Sequence, residues 1–255
     1  MIKYSLCFFS VGLLAGDPLS AATIIAADSA SDVVYSDGWQ HGDNGGFGWN
    51  GGWNIVSTDG DSHTSTGPSG SIDTGGRSWM FTTASPGYRY SSAQRAFTDP
   101  LGIGDSVSIR FVHGIFGEDG GISVALTDSR VIGWTPFYFQ SLPGRSTYYI
   151  DAVGLPEESG IPNTTDPILL NYARTGMEAY TLSVTVAQAE PLLFYGSGAD
   201  MIDRITIYSY AGPNSQNAPA YFNELFISRV PEPSVVGLLA MSVAAFLARR
   251  REPKG

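Results

Sequence analysis

The sequence predicts an all-β fold in which two antiparallel sheets pack face to face. Apolar residues recur at every second position in several segments, and turn residues separate these segments at short intervals. No helical period persists between residues 30 and 230. When apolar and polar residues alternate with a period of two, one face of the strand lies toward a core and the other toward solvent.

Three segments show the alternation most clearly. Residues 180–186 alternate apolar side chains with Thr181, Ser183 and Thr185, and residues 106–112 repeat the pattern. Residues 221–227 carry apolar side chains on both faces, as expected for a strand buried on two sides. Shorter β-rich runs predict nine further strands: Trp53–Ser57, Trp79–Thr83, Tyr88–Phe97, Ile122–Thr127, Pro136–Gln140, Ser146–Ala152, Ile168–Tyr172, Leu192–Tyr195 and Arg204–Tyr210.

Turn residues lie between these strands. Examples are Asp99-Pro100, Gly104-Asp105 and Pro143-Gly144, which favour chain reversal. A dozen short strands in a body of roughly 208 residues fit one domain. We therefore expect an antiparallel β-sandwich of the jelly-roll, concanavalin-like type, with a shorter immunoglobulin-like sandwich carrying long insertions as the alternative.

The N-terminus has the features of a signal peptide. Lys3 supplies a positive charge, the run Leu6–Gly16 is apolar, and Ser20-Ala21-Ala22 offers small residues for cleavage. We predict a signal helix over residues 1–22, with cleavage by signal peptidase after Ala22 and with Ala21 and Ala27 as alternative positions. The sole cysteine, Cys7, lies in this segment, so the body has to be stabilised without disulfides.

The last 26 residues, 230–255, form a second processing segment. Pro231 and Pro233 fix the backbone on either side of Glu232 and keep it out of regular structure. The uncharged run 235–248 follows and predicts a short transmembrane helix, and Arg249, Arg250 and Arg251 end it. At about 1.5 Å per residue this run is shorter than a hydrocarbon core of about 30 Å, so we expect transient anchoring in the inner membrane.

This tail resembles the PEP-CTERM sorting signal of secreted bacterial proteins handled by an exosortase. Its motif corresponds to Pro231, Glu232 and Pro233, and its basic end to Arg249–Arg251. The resemblance implies export, temporary anchoring, removal of the tail by an exosortase-type enzyme, and release to the cell surface or extracellular matrix. It covers about a tenth of the chain.

A looser resemblance extends over the body, residues 23–229. The stretch from Tyr35 to Trp49 is similar to the opening of a recurrent group of PEP-CTERM secreted proteins. Residues 202–205 and 221–225 are similar to the closing strands of that group. The group has no known activity, so this likeness bears on the fold.

The charge of the body excludes one class of partner. Residues 23–230 contain nine arginines, no lysine and 21 acidic residues, a net charge of −12. Such a surface repels phosphate backbones, so we expect no nucleic-acid partner.

An aromatic, glycine-rich stretch between residues 39 and 53 is the candidate binding site. The rings of Trp39, Trp49 and Trp53 are suited to stacking on sugars, and Asp43 and Asn44 to hydrogen-bonding hydroxyl groups. Their oxygens, with Asp37, are also possible calcium ligands, whereas Asp59-Gly60-Asp61 lacks the spacing of an EF-hand loop. The alternative is structural: the tryptophans close one end of the sandwich and the glycines form turns.

The sequence offers no recognisable catalytic residue. Glu118-Asp119 and Glu157-Glu158 are adjacent pairs beside glycine or proline, which favours solvated loops. None of the three histidines has a nucleophile motif nearby, and no His-x-x-x-His pair occurs. We therefore expect a non-catalytic surface or matrix protein that interacts with extracellular polysaccharide or with other copies of itself. The alternative is a secreted carbohydrate-active enzyme with an unrecognised carboxylate pair.

Overall fold

The computed structural model describes residues 22–57, 62–83, 89–116, 118–130, 137–152, 155, 157–197, 201–212 and 218–230. The signal segment up to residue 21, Asp59-Gly60-Asp61 and the sorting residues Pro231–Pro233 and Arg249–Arg251 lie outside them. No helix in the described ranges has both the length and the apolar character needed to cross a membrane.

The described part of the chain is built almost entirely from strands. A single turn of 3₁₀ helix spans Val33–Tyr35. The strands are β1 (Thr23–Asp28), β2 (Asn54–Ser57), β3 (Ser62–Gly67), β4 (Ser78–Thr83), β5 (Arg89–Ala96), β6 (Asp105–His113), β7 (Gly121–Thr127), β8 (Phe137–Ser141), β9 (Thr147–Ala152), β10 (Glu158–Pro162), β11 (Ile168–Arg174), β12 (Ala179–Val186), β13 (Leu192–Ser197), β14 (Arg204–Ala211) and β15 (Ala220–Arg229).

These strands form two antiparallel sheets, which confirms the predicted two-sheet sandwich. The eight-stranded sheet has the order β13-β12-β11-β6-β15-β4-β3, with β1 also paired to β15. The seven-stranded sheet has the order β10-β9-β8-β7-β14-β5-β2. An immunoglobulin-like sandwich has about seven to nine strands, so that alternative does not fit. Thr23–Arg229 form one compact unit.

Alternating burial explains how the sheets enclose one core. In β14, Ile205 and Ile207 are buried while Thr206 and Tyr208 are half-exposed on the outer face. Strands at the middle of a sheet are covered on both faces, and β7 is buried from Gly121 to Leu126. The core cluster takes its side chains from the inner faces of both sheets.

A bulge in β15 interrupts the simple alternation that the sequence predicted for residues 221–227. The pairing register with β6 shifts between Asn223 and Phe226, and Glu224 has a φ of 51°. This extra residue turns Phe222, Leu225 and Ile227 all toward the core. At the same point, β15 changes its neighbour on the other edge from β4 to β1.

Three strands were not predicted from the sequence. β3 reads Ser-His-Thr-Ser-Thr-Gly and β10 reads Glu-Ser-Gly-Ile-Pro, so neither has an apolar alternation to detect. Both lie at sheet edges, where few side chains are buried. β1 carries a recognisable apolar run, but it directly follows the predicted signal peptide.

Candidate functional site

Trp39 and Trp53 lie in the core rather than in a binding cleft. Their side chains are 0% and 1% exposed. Trp39 stacks on Trp79 and Phe81 at ring-centroid distances of 5.6 and 5.2 Å, and Trp53 meets it edge-on at 5.1 Å. Because protein atoms cover these rings, the prediction that they stack on a sugar is wrong, and the structural alternative holds for both.

A buried polar cluster lies beneath the same stretch. Arg95 Nη1 is 2.9 Å from Asp28 Oδ2, and neither side chain is exposed to solvent. Tyr35 Oη and Trp53 Nε1 donate to the same carboxylate oxygen at 2.7 and 3.0 Å. Burial nevertheless raises the pKa of Asp28 to about 6, against the opposing effect of the Arg95 charge.

The other predicted site residues attach the stretch to this cluster. Arg95 Nη2 donates to Asn44 Oδ1 and to the Gly45 carbonyl, each at 2.8 Å. Asp43 accepts the Gln40 amide at 2.7 Å. A Cβ atom at Gly46 would lie 1.8 Å from the Ala27 carbonyl oxygen, so only glycine allows this close approach to β1.

Trp49 is half-buried and held on two sides. Its Nε1 donates to the Ala27 carbonyl at 3.0 Å, and its ring lies 5.9 Å from that of Phe97. The Arg95 guanidinium carbon lies 5.3 Å from the ring centroid. The predicted site residues therefore stabilise one end of the sandwich: Trp39, Trp49, Trp53, Asp43 and Asn44. They do not surround an open cleft.

Five tyrosines share the outer face of the seven-stranded sheet, which we call the tyrosine face. Tyr90 is 42% exposed, and the other four are half-buried. Tyr138 on β8 and Tyr208 on β14 lie on either side of β7, and their rings meet edge-to-face at 6.3 Å. The remaining members are Tyr149 and Tyr210.

Small residues on β7 make room for these rings. Ser123 and Ala125 lie between Tyr138 and Tyr208 and are 0% and 1% exposed, because the larger side chains close over them. Gly121 makes room for the ring of Tyr210, since a Cβ atom at position 121 would lie 2.5 Å from Tyr210 Oη. The face is therefore an aromatic platform over a floor of small residues.

Strand register arranges polar groups in rows between the rings. One row across five strands reads Tyr149, Gln140, Ser123, Tyr208 and Ser92. With a strand spacing of about 4.8 Å, such a row extends about 19 Å. The next row reads Asp151, Tyr138, Ala125, Thr206 and Gln94, in which Gln94 Nε2 donates to Thr206 Oγ1 at 3.0 Å.

The chemistry of the two rows is mainly hydrogen bonding. Arg204, on the same face of β14, donates to Gln94 Oε1 of the second row at 3.2 Å. Asp151, at the end of the second row, is the only ionisable acid or base in these two rows apart from the tyrosines. Burial raises the pKa of Tyr210 to about 12, and it also raises that of Tyr208. The phenols of Tyr208 and Tyr210 therefore remain protonated near neutral pH, where each can both donate and accept a hydrogen bond.

The sequence contained a signal for this face. In β14, Ile205 and Ile207 alternate with Thr206, Tyr208 and Tyr210, which predicts tyrosines on the outer side. Tyr138 and Tyr149 lie beside these tyrosines because of the order of strands in the sheet. The alternation of apolar and polar residues in the sequence does not reveal that order.

The described residues offer no cluster of three or more His, Cys, Asp or Glu side chains arranged for a metal ion. Asp37 and Asp43, two of the predicted calcium ligands, therefore belong to no such cluster. Asn44 instead binds Arg95.

No protein-family model matches the sequence, and no curated protein is significantly similar to it. Similar solved structures include a carbohydrate esterase from the Shiga toxin-encoding bacteriophage phi24B, 10% identical, with a TM-score of 0.47 over 83% of this chain and 100% of that chain. An endo-β-1,4-glucuronan lyase from the fungus Trichoderma reesei is 10% identical, with a TM-score of 0.48 over 81% of this chain and 96% of the lyase. The exoplasmic/lumenal domain of VIP36 in a Ca²⁺/Man3GlcNAc-bound form is 11% identical, with a TM-score of 0.42 over 72% of this chain and 88% of that domain.

Proposed function

We propose that this chain is a non-catalytic protein that binds a neutral polysaccharide on its tyrosine face. The observation that carries the proposal is the platform of five exposed or half-exposed tyrosines interleaved with Gln140, Ser92 and Thr206. Tyrosine combines a broad apolar ring with a polar hydroxyl group, which suits the apolar faces and hydroxyl edges of sugar rings.

The charge distribution supports a neutral ligand. The body has a net charge of −12, which repels polyanions. The two central rows of the face contain one carboxylate and no arginine, whereas anionic sugars are recognised through cationic side chains. The single carboxylate also leaves these rows without the carboxyl pair that glycoside hydrolysis requires.

Binding to immobilised cellulose, laminarin, mannan and xylan tests the proposal. The full chain, purified in mild detergent, is expected to bind at least one of them. Tyr138→Ala and Tyr208→Ala should each weaken that binding by about tenfold, equivalent to about 1.4 kcal/mol. Tyr195→Ala is the matched control, because Tyr195 is 70% exposed on the other sheet.

Three outcomes would contradict the proposal. The first is the absence of binding to all four polymers, and the second is binding that the Tyr138 and Tyr208 variants leave unchanged. The third is release of sugar fragments from the bound polymer, which would favour the alternative of a carbohydrate-active enzyme.

We also propose that the chain is exported and sorted, and that it then acts at the cell surface or in the extracellular matrix. The signal-like segment 1–22 and the Pro231-Glu232-Pro233 tail support this route. In a bacterium that carries an exosortase, replacing residues 231–233 by alanine should leave unprocessed protein in the inner membrane. Normal release of that variant would refute the sorting proposal without affecting the binding proposal.

A further inference from the structure

A cavity of about 440 Å³ opens at the end of the sandwich where β6 and β8 end and β9 begins. Its wall includes His113, Phe116, Leu142, Arg145, Asn163 and Thr165. Ligand pockets typically enclose about 300–1,000 Å³, so this cavity is large enough for a small polar molecule. Neither the sequence motifs nor the tyrosine face accounts for it.

One side of the cavity is an aromatic wall without charge. Phe116 stacks on His113 at a centroid distance of 5.0 Å. His113 Nδ1 lies 2.7 Å from the Gly114 carbonyl oxygen, which can only accept, so this nitrogen carries the proton. His113 Nε2 then accepts from Tyr148 Oη at 2.6 Å. With both nitrogens bound, the buried imidazole is neutral and adds no charge to this wall, and the ring of Phe116 lies over it.

The cation in the wall is already neutralised. Arg145 Nη1 lies 2.7 Å from Glu158 Oε1, and the two side chains are 46% and 63% exposed at the rim. Asn163 Nδ2 donates to the Arg145 carbonyl at 2.8 Å and holds this turn in place. A neutral, hydroxyl-rich occupant therefore fits the wall better than an anion.

The cavity adjoins the tyrosine face. The guanidinium carbon of Arg145 lies 5.8 Å from the ring centroid of Tyr149, the tyrosine at the end of the first row. Ser141 and Leu142 in the wall directly follow Gln140 of the same row. The end of the first row at Tyr149 therefore lies beside Arg145, which also lines the cavity.

We infer that the cavity takes the terminal sugar unit of the neutral glycan whose internal units lie on the tyrosine face. The inference rests on the proposed function of that face. An open sheet face accepts any internal stretch of a polymer, whereas a cavity walled on several sides accepts a chain end. The protein thereby favours short chains, or the ends of long ones, over uninterrupted polymer.

The test compares hexasaccharides with polymers of the same sugars. The probes are cellohexaose, laminarihexaose, mannohexaose and xylohexaose, each beside its polymer, titrated against the full chain. Thr165→Trp fills the cavity from an exposed position, so folding is preserved. We expect it to weaken binding of the recognised hexasaccharide by about tenfold and to change polymer binding by less than about twofold.

Controls separate this inference from the proposed function. Thr181→Trp places the same ring on the outer face of the other sheet and should change neither affinity. Tyr208→Ala should weaken both. Phe116→Ala, which removes the aromatic wall, should reproduce the hexasaccharide effect.

The outcomes are distinct. The inference is overturned if Thr165→Trp leaves hexasaccharide binding unchanged or weakens polymer binding equally. It is also overturned if polymers bind and no hexasaccharide does. In each case the tyrosine face can still be the polymer site. Failure of Tyr208→Ala to affect either ligand would instead overturn the proposed function.

Discussion

Asp28 and Arg95 form an ion pair from which solvent is excluded on both sides, at an Nη1–Oδ2 distance of 2.9 Å. The pair joins β1 of one sheet to β5 of the other and anchors the stretch that contains Asn44 and Gly45. Removing one member of a buried pair leaves an uncompensated charge in the core. We therefore predict that Arg95→Met lowers the free energy of unfolding by about 3–5 kcal/mol, measured by urea denaturation.

The exposed pair Arg145–Glu158 provides the matched control. Arg145→Met should cost less than about 1 kcal/mol, because solvent screens that pair. The double variant Asp28→Asn/Arg95→Met should lose less stability than the sum of the single variants, since no charge remains buried without a partner. An Arg95→Met effect no larger than that of Arg145→Met would contradict the structural role assigned to the buried pair.

The raised pKa of Asp28 has a consequence for the pH dependence of stability. Burial moves the pKa from 3.8 to about 6 in the folded protein, so the folded state binds the proton more tightly than the unfolded state. The contribution of this group is therefore fully present below pH 3.8 and is lost as the pH rises through about 6. The difference in unfolding free energy between the wild type and Asp28→Asn should fall over this range, by on the order of 3 kcal/mol. A difference that rises with pH would show that the ion pair outweighs desolvation.

The sequence was sufficient to predict most of the fold because most strands bury one face. Alternation in β11, β12 and β14 translates directly into inner and outer residues. It fails in β3 and β10, where edge positions remove the need for an apolar face. It also fails within β15, because the bulge at Glu224 shifts every later residue to the opposite face.

The site was harder to predict for a different reason. Trp39 and Trp53 belong to a glycine-rich stretch that resembles an exposed loop, yet the stretch packs against β1 and closes the core. The tyrosine face, in contrast, combines residues from β5, β8, β9 and β14. Side chains from strands far apart in sequence become neighbours only through sheet order, which a single sequence does not specify.

Asn223 stabilises the point at which the neighbouring strand of β15 changes from β4 to β1. Its side chain is fully buried; Oδ1 accepts from the amides of Ala30 and Glu224, and Nδ2 donates to the carbonyls of Ile72 and Arg77. Asn223→Ala removes this partner from two buried backbone groups, the amide of Ala30 and the carbonyl of Ile72, at about 1–3 kcal/mol each. We predict a loss of at least about 3 kcal/mol in unfolding free energy, measured by thermal and urea denaturation.

Asn171→Ala is the control for this variant. Asn171 is half-buried on the outer face of β11, where it accepts a hydrogen bond from Ser108 at 2.6 Å. Its loss should cost about 1 kcal/mol. Equal effects of the two variants would argue against a special role for Asn223 at the bulge.

His113 is predicted to be neutral, with its proton on Nδ1. Burial lowers its pKa, so its stabilising contribution is present above about 6.5 and is lost as the pH falls. The Tyr148 hydroxyl group occupies the Nε2 lone pair at 2.6 Å, which further favours the neutral form. Tyr148→Phe should therefore raise the pKa of His113 toward its ordinary value and cost about 1–3 kcal/mol for the unpaired nitrogen. Long-range ¹H–¹⁵N correlation spectra report both the tautomer and the titration. A proton on Nε2, or a lower pKa in the variant, would contradict the assigned hydrogen bond and with it the uncharged wall of the cavity.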